Sequence, residues 1–173
     1  MRNLSVFFAL ACMVAAPCAT RGASDTLHYL GIGVQYWQTV EDIKLTDVDE
    51  DGFSWILTYQ MKPARLLKVE VDLEMMPDDY AGSDDTVVAP QAYILLGTGI
   101  YAGLGAGFYL ADGKIEEDPF LALRAGLCSE LFPSLFIDFS ANYRFDQWSD
   151  LNNSGTDVDT DTVTLGFAAR LEF

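Results

Sequence analysis

The chain is poor in the residues that build common catalytic and metal sites. It has 173 residues with a single histidine, His28, and its three cysteines have no Cys-x-x-Cys spacing. These counts argue against histidine-based metal sites and relays, zinc motifs and a disulfide framework. Basic residues are also scarce, with 10 Lys and Arg against 26 Asp and Glu. The net charge of −16 argues against nucleic-acid binding, which needs clustered basic side chains.

The length suits one domain, and the N-terminal segment has the layout of a secretory signal peptide. Arg2 lies in a charged start, an apolar stretch runs from Leu4 to Cys18, and small residues follow from Ala19 to Ser24. This apolar stretch is shorter than the roughly 20 residues that a transmembrane helix needs. We expect residues 1–23 to be a cleaved signal peptide and residues 24–173 to form one outer-membrane barrel domain.

Apolar residues recur at every second position in eight segments, which is the period of a β-strand. The opposite parity of these segments is polar or glycine, so each predicted strand has two chemically different faces. The eight apolar sets run over Leu30–Tyr36, Phe53–Met61, Leu67–Met75, Val88–Leu96, Ala102–Leu110, Leu121–Leu127, Leu135–Tyr143 and Val163–Phe173.

The connections between these segments alternate in length. The short ones are Lys62–Arg65, Gly97–Gly99 and Glu130–Ser134, and the long ones are Glu41–Asp51, Pro77–Asp85, Asp112–Asp118 and Asp146–Asp161. An even number of antiparallel strands with short turns at one end and long loops at the other is typical of an outer-membrane barrel. In a bilayer such a sheet must close, because every backbone group needs an internal partner.

The sequence resembles the small eight-stranded outer-membrane β-barrel proteins, the group that includes the OmpA-type membrane domain and OmpX. The resemblance depends on the signal segment, the eight alternating segments and the terminal Leu171-Glu172-Phe173. It implies an all-β, eight-stranded, antiparallel up-and-down transmembrane barrel in the outer membrane of a Gram-negative bacterium. It also implies contact with outer-membrane lipid, a monomeric state, and insertion by the barrel-assembly machinery, for which Phe173 looks like the end signal.

Charge is distributed unevenly between loops and strands. The four long connections hold 19 acidic residues against Lys44 and Lys114, whereas the polar parity of the strands is nearly balanced. Because an eight-stranded barrel has an interior just wide enough for side chains, unpaired charges there would be costly. We therefore predict a plugged lumen rather than a pore, with acidic extracellular loops. The predicted charge network is centred on Lys68, Glu70, Arg124, Asp138 and Arg170.

Glycines and aromatic residues have predicted roles in the same barrel. The glycines Gly31, Gly33, Gly103, Gly105 and Gly107 relieve crowding or admit large interior neighbours such as Tyr93 and Tyr101. Aromatic residues near strand ends that face lipid would form interfacial girdles. The candidates are Tyr29, Tyr36, Trp37, Trp55, Tyr59, Tyr101, Tyr143 and Phe173.

Three features suggest chemistry, and each has a simpler structural interpretation. The run from Asp47 to Gly52 begins like a calcium loop, but its twelfth position is Thr58 rather than Glu. A solvated acidic loop is the favoured interpretation, and weak divalent binding with Asp157, Asp159 and Asp161 as further ligands is the alternative. His28 next to Ser24 or Asp25 could form a relay, although a polar interface residue is the simpler interpretation. Cys128 is expected to be a small buried hydrophobe. We predict no catalytic, cofactor-binding or metal-binding residues and no enzymatic activity.

Two alternatives remain at the level of sequence. A secreted, soluble lipocalin-like barrel that binds a small lipophilic ligand would have the same periodicity with its apolar face turned inward. A helical inner-membrane protein is suggested by the uncharged run over residues 86–111, where Gly99, Gly103 and Gly107 have helix-packing spacing. The favoured hypothesis is an outer-membrane barrel with a structural or surface-interaction role in the cell envelope.

Overall fold

The computed structural model describes residues 26–39, 51–77, 86–111, 114–115, 119–145 and 161–173. These residues form ten β-strands, all paired antiparallel. The strands are β1 (Leu27–Thr39), β2 (Asp51–Ala64), β3 (Leu67–Met76), β4 (Val87–Gly97), β5 (Ile100–Gly107), β6 (Leu110–Ala111), β7 (Lys114–Ile115), β8 (Phe120–Phe132), β9 (Leu135–Phe145) and β10 (Thr162–Glu172).

The eight long strands close into a barrel, as the sequence predicts. Their order is β3-β2-β1-β10-β9-β8-β5-β4, and a further pairing of β3 with β4 joins the two edges. The first and last strands of the chain pair over eleven positions, from Tyr29 opposite Glu172 to Thr39 opposite Thr162. Closure gives the ladder no free edge among the eight long strands, which is the condition for crossing a bilayer with strands.

The short turns lie at the same end of the barrel as both ends of the described chain. Residues 65–66, 98–99 and 133–134 make these turns, which are shorter than the sequence pattern predicts because the flanking strands extend further. Backbone hydrogen bonds from Phe173 N to His28 O (3.0 Å) and from Glu172 N to Ser134 O (2.8 Å) fasten the C-terminus at this end. We call it the short-turn end.

The two-residue strands β6 and β7 form a small hairpin at the opposite end, where the sequence predicts a loop over Asp112–Asp118. Leu110 lies opposite Ile115 and also opposite Val88 of β4, in the register that β5 already follows. The fifth long strand is therefore extended by β6 after a break at Phe108 and Tyr109. Two residues per strand are too few to give a periodic signal, so the sequence did not indicate this hairpin.

Burial alternates along much of each long strand and places the polar parity inside. In β3, Lys68, Glu70, Asp72 and Glu74 are buried, while Val71 and Met75 are exposed. Exposed large apolar side chains surround the outside, including Ile94 and Leu104, at 60% and 65% of their full accessible surface. The soluble lipocalin-like alternative requires the opposite orientation, and this burial pattern does not favour it.

The helical inner-membrane alternative is wrong for the segment that suggested it. Residues 87–97 and 100–107 are strands β4 and β5, and the glycines lie in strand or turn positions. Gly97 has φ of 135°, in the region that favours glycine, just before the turn at residues 98–99. Within the described part of the chain, no helix is long and apolar enough to cross a membrane.

Candidate functional site

The barrel interior is the candidate site, because the charged side chains of the strands meet there. Strand β3 directs Lys68, Glu70, Asp72 and Glu74 inward at alternate positions, and each is 0–1% exposed. A strand presents every second side chain to one face, so this row of charges follows from the sequence Lys-x-Glu-x-Asp-x-Glu. Three arginines from other strands face the row and supply the opposite charge.

Arg124 of β8 is the centre of this network. Its Nη1 donates to Asp72 Oδ2 (2.6 Å) and to Glu70 Oε1, and its Nε donates to Asn142 of β9. The guanidinium also lies flat over the Tyr93 ring, with Cζ 3.7 Å from the ring centroid. Arg124 therefore ties β3 to β8 and β9 across the interior.

Arg170 of β10 joins the same carboxylate from another side. Its Nη1 lies 2.9 Å from Glu70 Oε2, and its Nη2 lies 2.9 Å from Glu70 Oε1, a two-pronged contact. Nη2 is also 3.6 Å from Oδ1 of Asp138, which accepts a hydrogen bond from Tyr101 (2.7 Å). Glu70 is thus shared by two arginines, and Asp138 extends the network to β5 and β9.

A second group of contacts surrounds Glu74, further from the short-turn end. Glu74 forms an ion pair with Arg144 of β9 and accepts hydrogen bonds from Ser54 of β2 and from Gln91 of β4 (2.7 Å). Tyr93 donates to the same Gln91 at 2.6 Å. These contacts join four strands and satisfy both oxygens of one buried carboxylate.

The predicted network is confirmed for four of its five named members and wrong for the fifth. Glu70, Arg124, Asp138 and Arg170 are brought together, but Lys68 forms no ion pair or side-chain hydrogen bond among the described residues. Its Nζ lies over the Tyr101 ring instead, 4.2 Å from the centroid. Parity alone gives no reason to separate Lys68 from the other charges.

The sequence prediction did not name Asp72, Glu74 and Arg144 as members of the network. All three lie on the polar parity, and Arg144 faces Glu74 from 70 residues further along the chain. Charge balance is the signal that could have identified these three residues. When they are included, the buried interior holds four basic and four acidic residues: Lys68, Arg124, Arg144 and Arg170, and Glu70, Asp72, Glu74 and Asp138.

Glycine makes room for interior tyrosines, as the sequence predicts for Gly105. Gly105 of β5 lies opposite Tyr93 of β4, and a Cβ at this position would overlap the tyrosine ring. Tyr101 is accommodated in the same way by Gly126 of β8, its partner across the ladder, which the sequence analysis did not single out. Both tyrosines then reach the charge network with their hydroxyl groups.

The aromatic candidates divide between the two faces. Trp55 and Phe173 are 60% and 73% exposed on the outside, in agreement with a girdle role. Tyr29, Trp37 and Tyr101 are 2% exposed and face inward, so they belong to the interior. Tyr36, Tyr59 and Tyr143 are half-buried.

The other chemical candidates do not assemble into a reactive site. His28 Nδ1 lies 2.8 Å from the Tyr59 hydroxyl, while Ser24 and Asp25 lie outside the described residues. Most of the calcium-like run, residues 47–50, and Asp157 and Asp159 also lie outside them. Among the residues that the structure describes, no three His, Cys, Asp or Glu side chains are grouped to hold a metal ion.

Cys128 is half-buried on the inner face, as its parity predicts. Along its own strand, Arg124 is the nearest cation and lies four residues away. The charged groups near Cys128 come from other strands and are Asp138, Arg170, Lys68 and Lys62. Neighbours across a barrel interior cannot be read from spacing along one strand.

The outer surface of the barrel is apolar. Apolar side chains such as Leu104, Leu165 and Phe53 are 57–67% exposed, while the charged interior is almost inaccessible. In water this surface would be far larger than the apolar patches that soluble monomers tolerate. A closed barrel with an apolar exterior satisfies its backbone internally and presents hydrocarbon to lipid.

No protein-family model and no curated protein matches the sequence. Among solved structures, Neisserial surface protein A (NspA) superposes with a TM-score of 0.56 at 16% identity, covering 88% of this chain and 100% of NspA. The fold is that of the small outer-membrane β-barrels. Ail, the attachment invasion locus protein of Yersinia pestis, gives a TM-score of 0.49 at 18% identity and covers 87% of this chain and 100% of Ail. OprG from Pseudomonas aeruginosa gives a TM-score of 0.49 at 16% identity, covering 84% of this chain and 95% of OprG.

The closed eight-stranded fold and the apolar outer surface together make this chain an integral outer-membrane β-barrel. Its outer face contacts membrane lipid. In barrels of this kind the short turns face the periplasm.

Proposed function

We propose that the chain is a non-enzymatic barrel with a closed lumen, which acts as a structural or surface-interaction protein of the cell envelope. The observation that carries this proposal is the buried network around Glu70 of β3, which Arg124 of β8 and Arg170 of β10 join. An interior of eight strands is just filled by side chains, and paired charges hold those side chains in place. Ions would have to displace these pairs in order to pass.

Conductance in planar lipid bilayers tests the closed lumen. The purified full chain, refolded in detergent and added at molar KCl, is expected to give no stepwise conductance. A general porin, handled identically, verifies that insertion and recording work, and a protease-protection assay on the same bilayer lipids verifies that the barrel is inserted. Reproducible unitary steps from the inserted wild-type barrel would contradict the closed lumen.

The acidic connections are the proposed interaction surface. They join the long strands at the end opposite the short turns and hold 19 acidic residues against two lysines. Carboxylates at this density would attract cationic partners, or divalent cations that bridge them to the phosphates of anionic lipid A. NspA, of similar fold, bears the name of a surface protein.

Charge-neutralising variants test the acidic surface. Changing Asp146, Asp150, Asp157 and Asp159 to Asn is expected to weaken adhesion of whole cells to a cationic surface or to increase leakage of a periplasmic marker. Glu130→Gln, an exposed acid near the short-turn end, is the matched control and should change neither readout. If the multiple variant behaves like wild type in both assays, the loops only solvate this end of the barrel.

Export and the oligomeric state complete the proposal. We expect residues 1–23 to be removed on export. We also expect the barrel-assembly machinery to insert the barrel, which should be a monomer in the membrane. Intact mass spectrometry of the protein purified from outer membranes should give an N-terminus between Ala19 and Ser24. Sedimentation in density-matched detergent should give the mass of one chain, and a dimer mass would contradict the monomer.

A further inference from the structure

The short-turn end contains a cavity of about 510 Å³ that opens beneath the charge network. It lies between the start of β1, the turn at residues 65–66 and the turn at residues 98–99, with Cys128 and Phe136 on its far wall. This volume is within the range of small-molecule binding sites, roughly 300–1,000 Å³. Nothing in the closed-lumen role requires such a space.

The wall combines cations with apolar surface. Lys62 and Arg65 are its charged residues, and none of the described residues that line it is acidic. The Lys62 ammonium is held in position by the Tyr29 hydroxyl (3.1 Å) and by the Tyr29 and Phe136 rings. Leu27, Pro63, Ala64 and Phe136 provide the apolar part. The wall therefore has the composition expected for an amphipathic anion.

Lys68 adds a buried cation next to this wall. It is fully buried, and none of the residues that the structure describes hydrogen-bonds to its Nζ. The ammonium lies over the ring of Tyr101, which belongs to the buried cluster against which the cavity residue Cys128 packs. Asp138 and Arg170 of the charge network are also among the charged groups near Lys68. The Tyr101 ring contacts the ammonium but provides no acceptor for its N–H groups. A buried ammonium without a direct ion pair is costly, and a bound anion in contact with it would offset that cost.

We infer that this cavity binds a small organic carboxylate with an apolar body, which enters from the periplasmic side. The carboxylate would lie among Lys62, Arg65 and Lys68, and the apolar body would pack against Leu27 and Phe136. Association would be favoured because the carboxylate pairs a buried charge that forms no ion pair with the described part of the chain. Such a site is separate from the acidic connections at the opposite end of the barrel.

N-Acetylphenylalanine and its neutral amide form a matched pair of probes that differ in the carboxylate. The full chain, refolded in zwitterionic detergent, is titrated with each and followed by ¹⁵N TROSY NMR. The carboxylate is expected to shift the amide signals of Thr98, Gly99 and Cys128 in a saturable manner. It should also slow modification of Cys128 by a neutral maleimide, as measured by peptide mass spectrometry, whereas the amide should do neither.

Two variants test the cations separately. Lys68→Met removes the buried charge and is expected to weaken carboxylate binding at least tenfold. The Lys62→Gln/Arg65→Gln variant changes two cations of the cavity wall that lie outside the buried charge network. It should fold even if Lys68→Met does not, and it should also weaken carboxylate binding. Lys44→Gln, a charge change in the connection between β1 and β2, should bind like wild type. The inference would be overturned if the acid and the amide gave equal responses, or if neither gave a saturable response. It would also be overturned if the folded cavity variants bound the carboxylate with unchanged affinity.

Discussion

At the scale of the residue, the interior is stabilised by opposite charges that come from strands far apart around the barrel. Glu70 is shared by Arg124 and Arg170, whereas Asp72 has Arg124 as its one ion-pair partner among the described residues. Loss of Arg124 would therefore leave Asp72 without an ion-pair partner, whereas Glu70 would keep Arg170. A carboxylate that loses its only cation is left buried and charged, which is the costly situation.

Arg124→Met is expected to destabilise the barrel by about 3–5 kcal/mol, because it leaves Asp72 without a cation while Glu70 keeps Arg170. Urea unfolding in lipid vesicles, followed by tryptophan fluorescence, measures the change. Adding Asp72→Asn should restore part of the loss, so the two changes are not additive. Arg65→Met, at the exposed turn, serves as the control and should unfold like wild type. Full additivity of Arg124→Met and Asp72→Asn would show that the pair is not coupled.

Gly105→Ala tests the close approach of Tyr93. The added Cβ would overlap the ring, and overpacking of this kind costs about 1–3 kcal/mol. Gly99→Ala is the matched control, since its Cβ would meet its nearest atom at 3.5 Å. The same unfolding assay should give a clear loss for Gly105→Ala and little change for Gly99→Ala. Tyr93→Leu should relieve the crowding in the double variant, and no relief would argue against the overlap.

At the scale of the element, alternation determines which face each strand presents, and this was readable from the sequence. The parity of Lys68, Glu70, Asp72 and Glu74 predicts their burial, and the structure confirms it. The partners were not readable, because they depend on the shear of the closed barrel rather than on local spacing. Arg124 is opposite Asn142 in the ladder, yet its charged partners lie on β3, three strands away around the sheet.

Strand ends were also predicted less well than strand faces. The periodic signal weakens where Lys62, Pro63 and Ala64 continue β2, since apolar alternation stops before the backbone pairing does. The β2–β3 register shifts between Met61 and Ala64, which marks an irregularity beside the cavity. The proposed carboxylate site could not be found from the sequence, because its lining residues come from four strands and two turns that are far apart along the chain.

Lysine substitutions on β5 measure the depth of the apolar belt. Leu104 lies between Ile94 and Leu123 on the outer face, whereas Ile100 starts the strand next to a turn. A lysine at the bilayer midplane costs about 2–4 kcal/mol, and near the interface about 0–1 kcal/mol. Leu104→Lys should therefore reduce the free energy of unfolding in vesicles by more than Ile100→Lys does. Equal, negligible effects would mean that this face is not in lipid.

At the scale of the whole molecule, closure of the barrel pairs the first strand with the last one. β1 pairs with β10, so the barrel is complete only after the last strand has been made. Phe173 is at this seam, with its backbone hydrogen-bonded to His28 and its ring 6.0 Å from the histidine ring. Its side chain is nonetheless 73% exposed on the outer surface, so little of the barrel's own packing depends on it.

An exposed terminal aromatic is therefore expected to matter more for assembly than for stability. Phe173→Ala should lower the amount of folded protein in outer membranes, because the barrel-assembly machinery would read the C-terminal strand poorly. Refolding of the same variant in vesicles should be near wild type, within about 1 kcal/mol, as is usual for surface substitutions. Folded and unfolded forms are distinguished by the mobility shift between unboiled and boiled samples on gels. Leu131→Ala, exposed near the same end, is the control and should assemble normally in cells. If Phe173→Ala assembles as well as this control, the terminal aromatic is not part of the assembly signal.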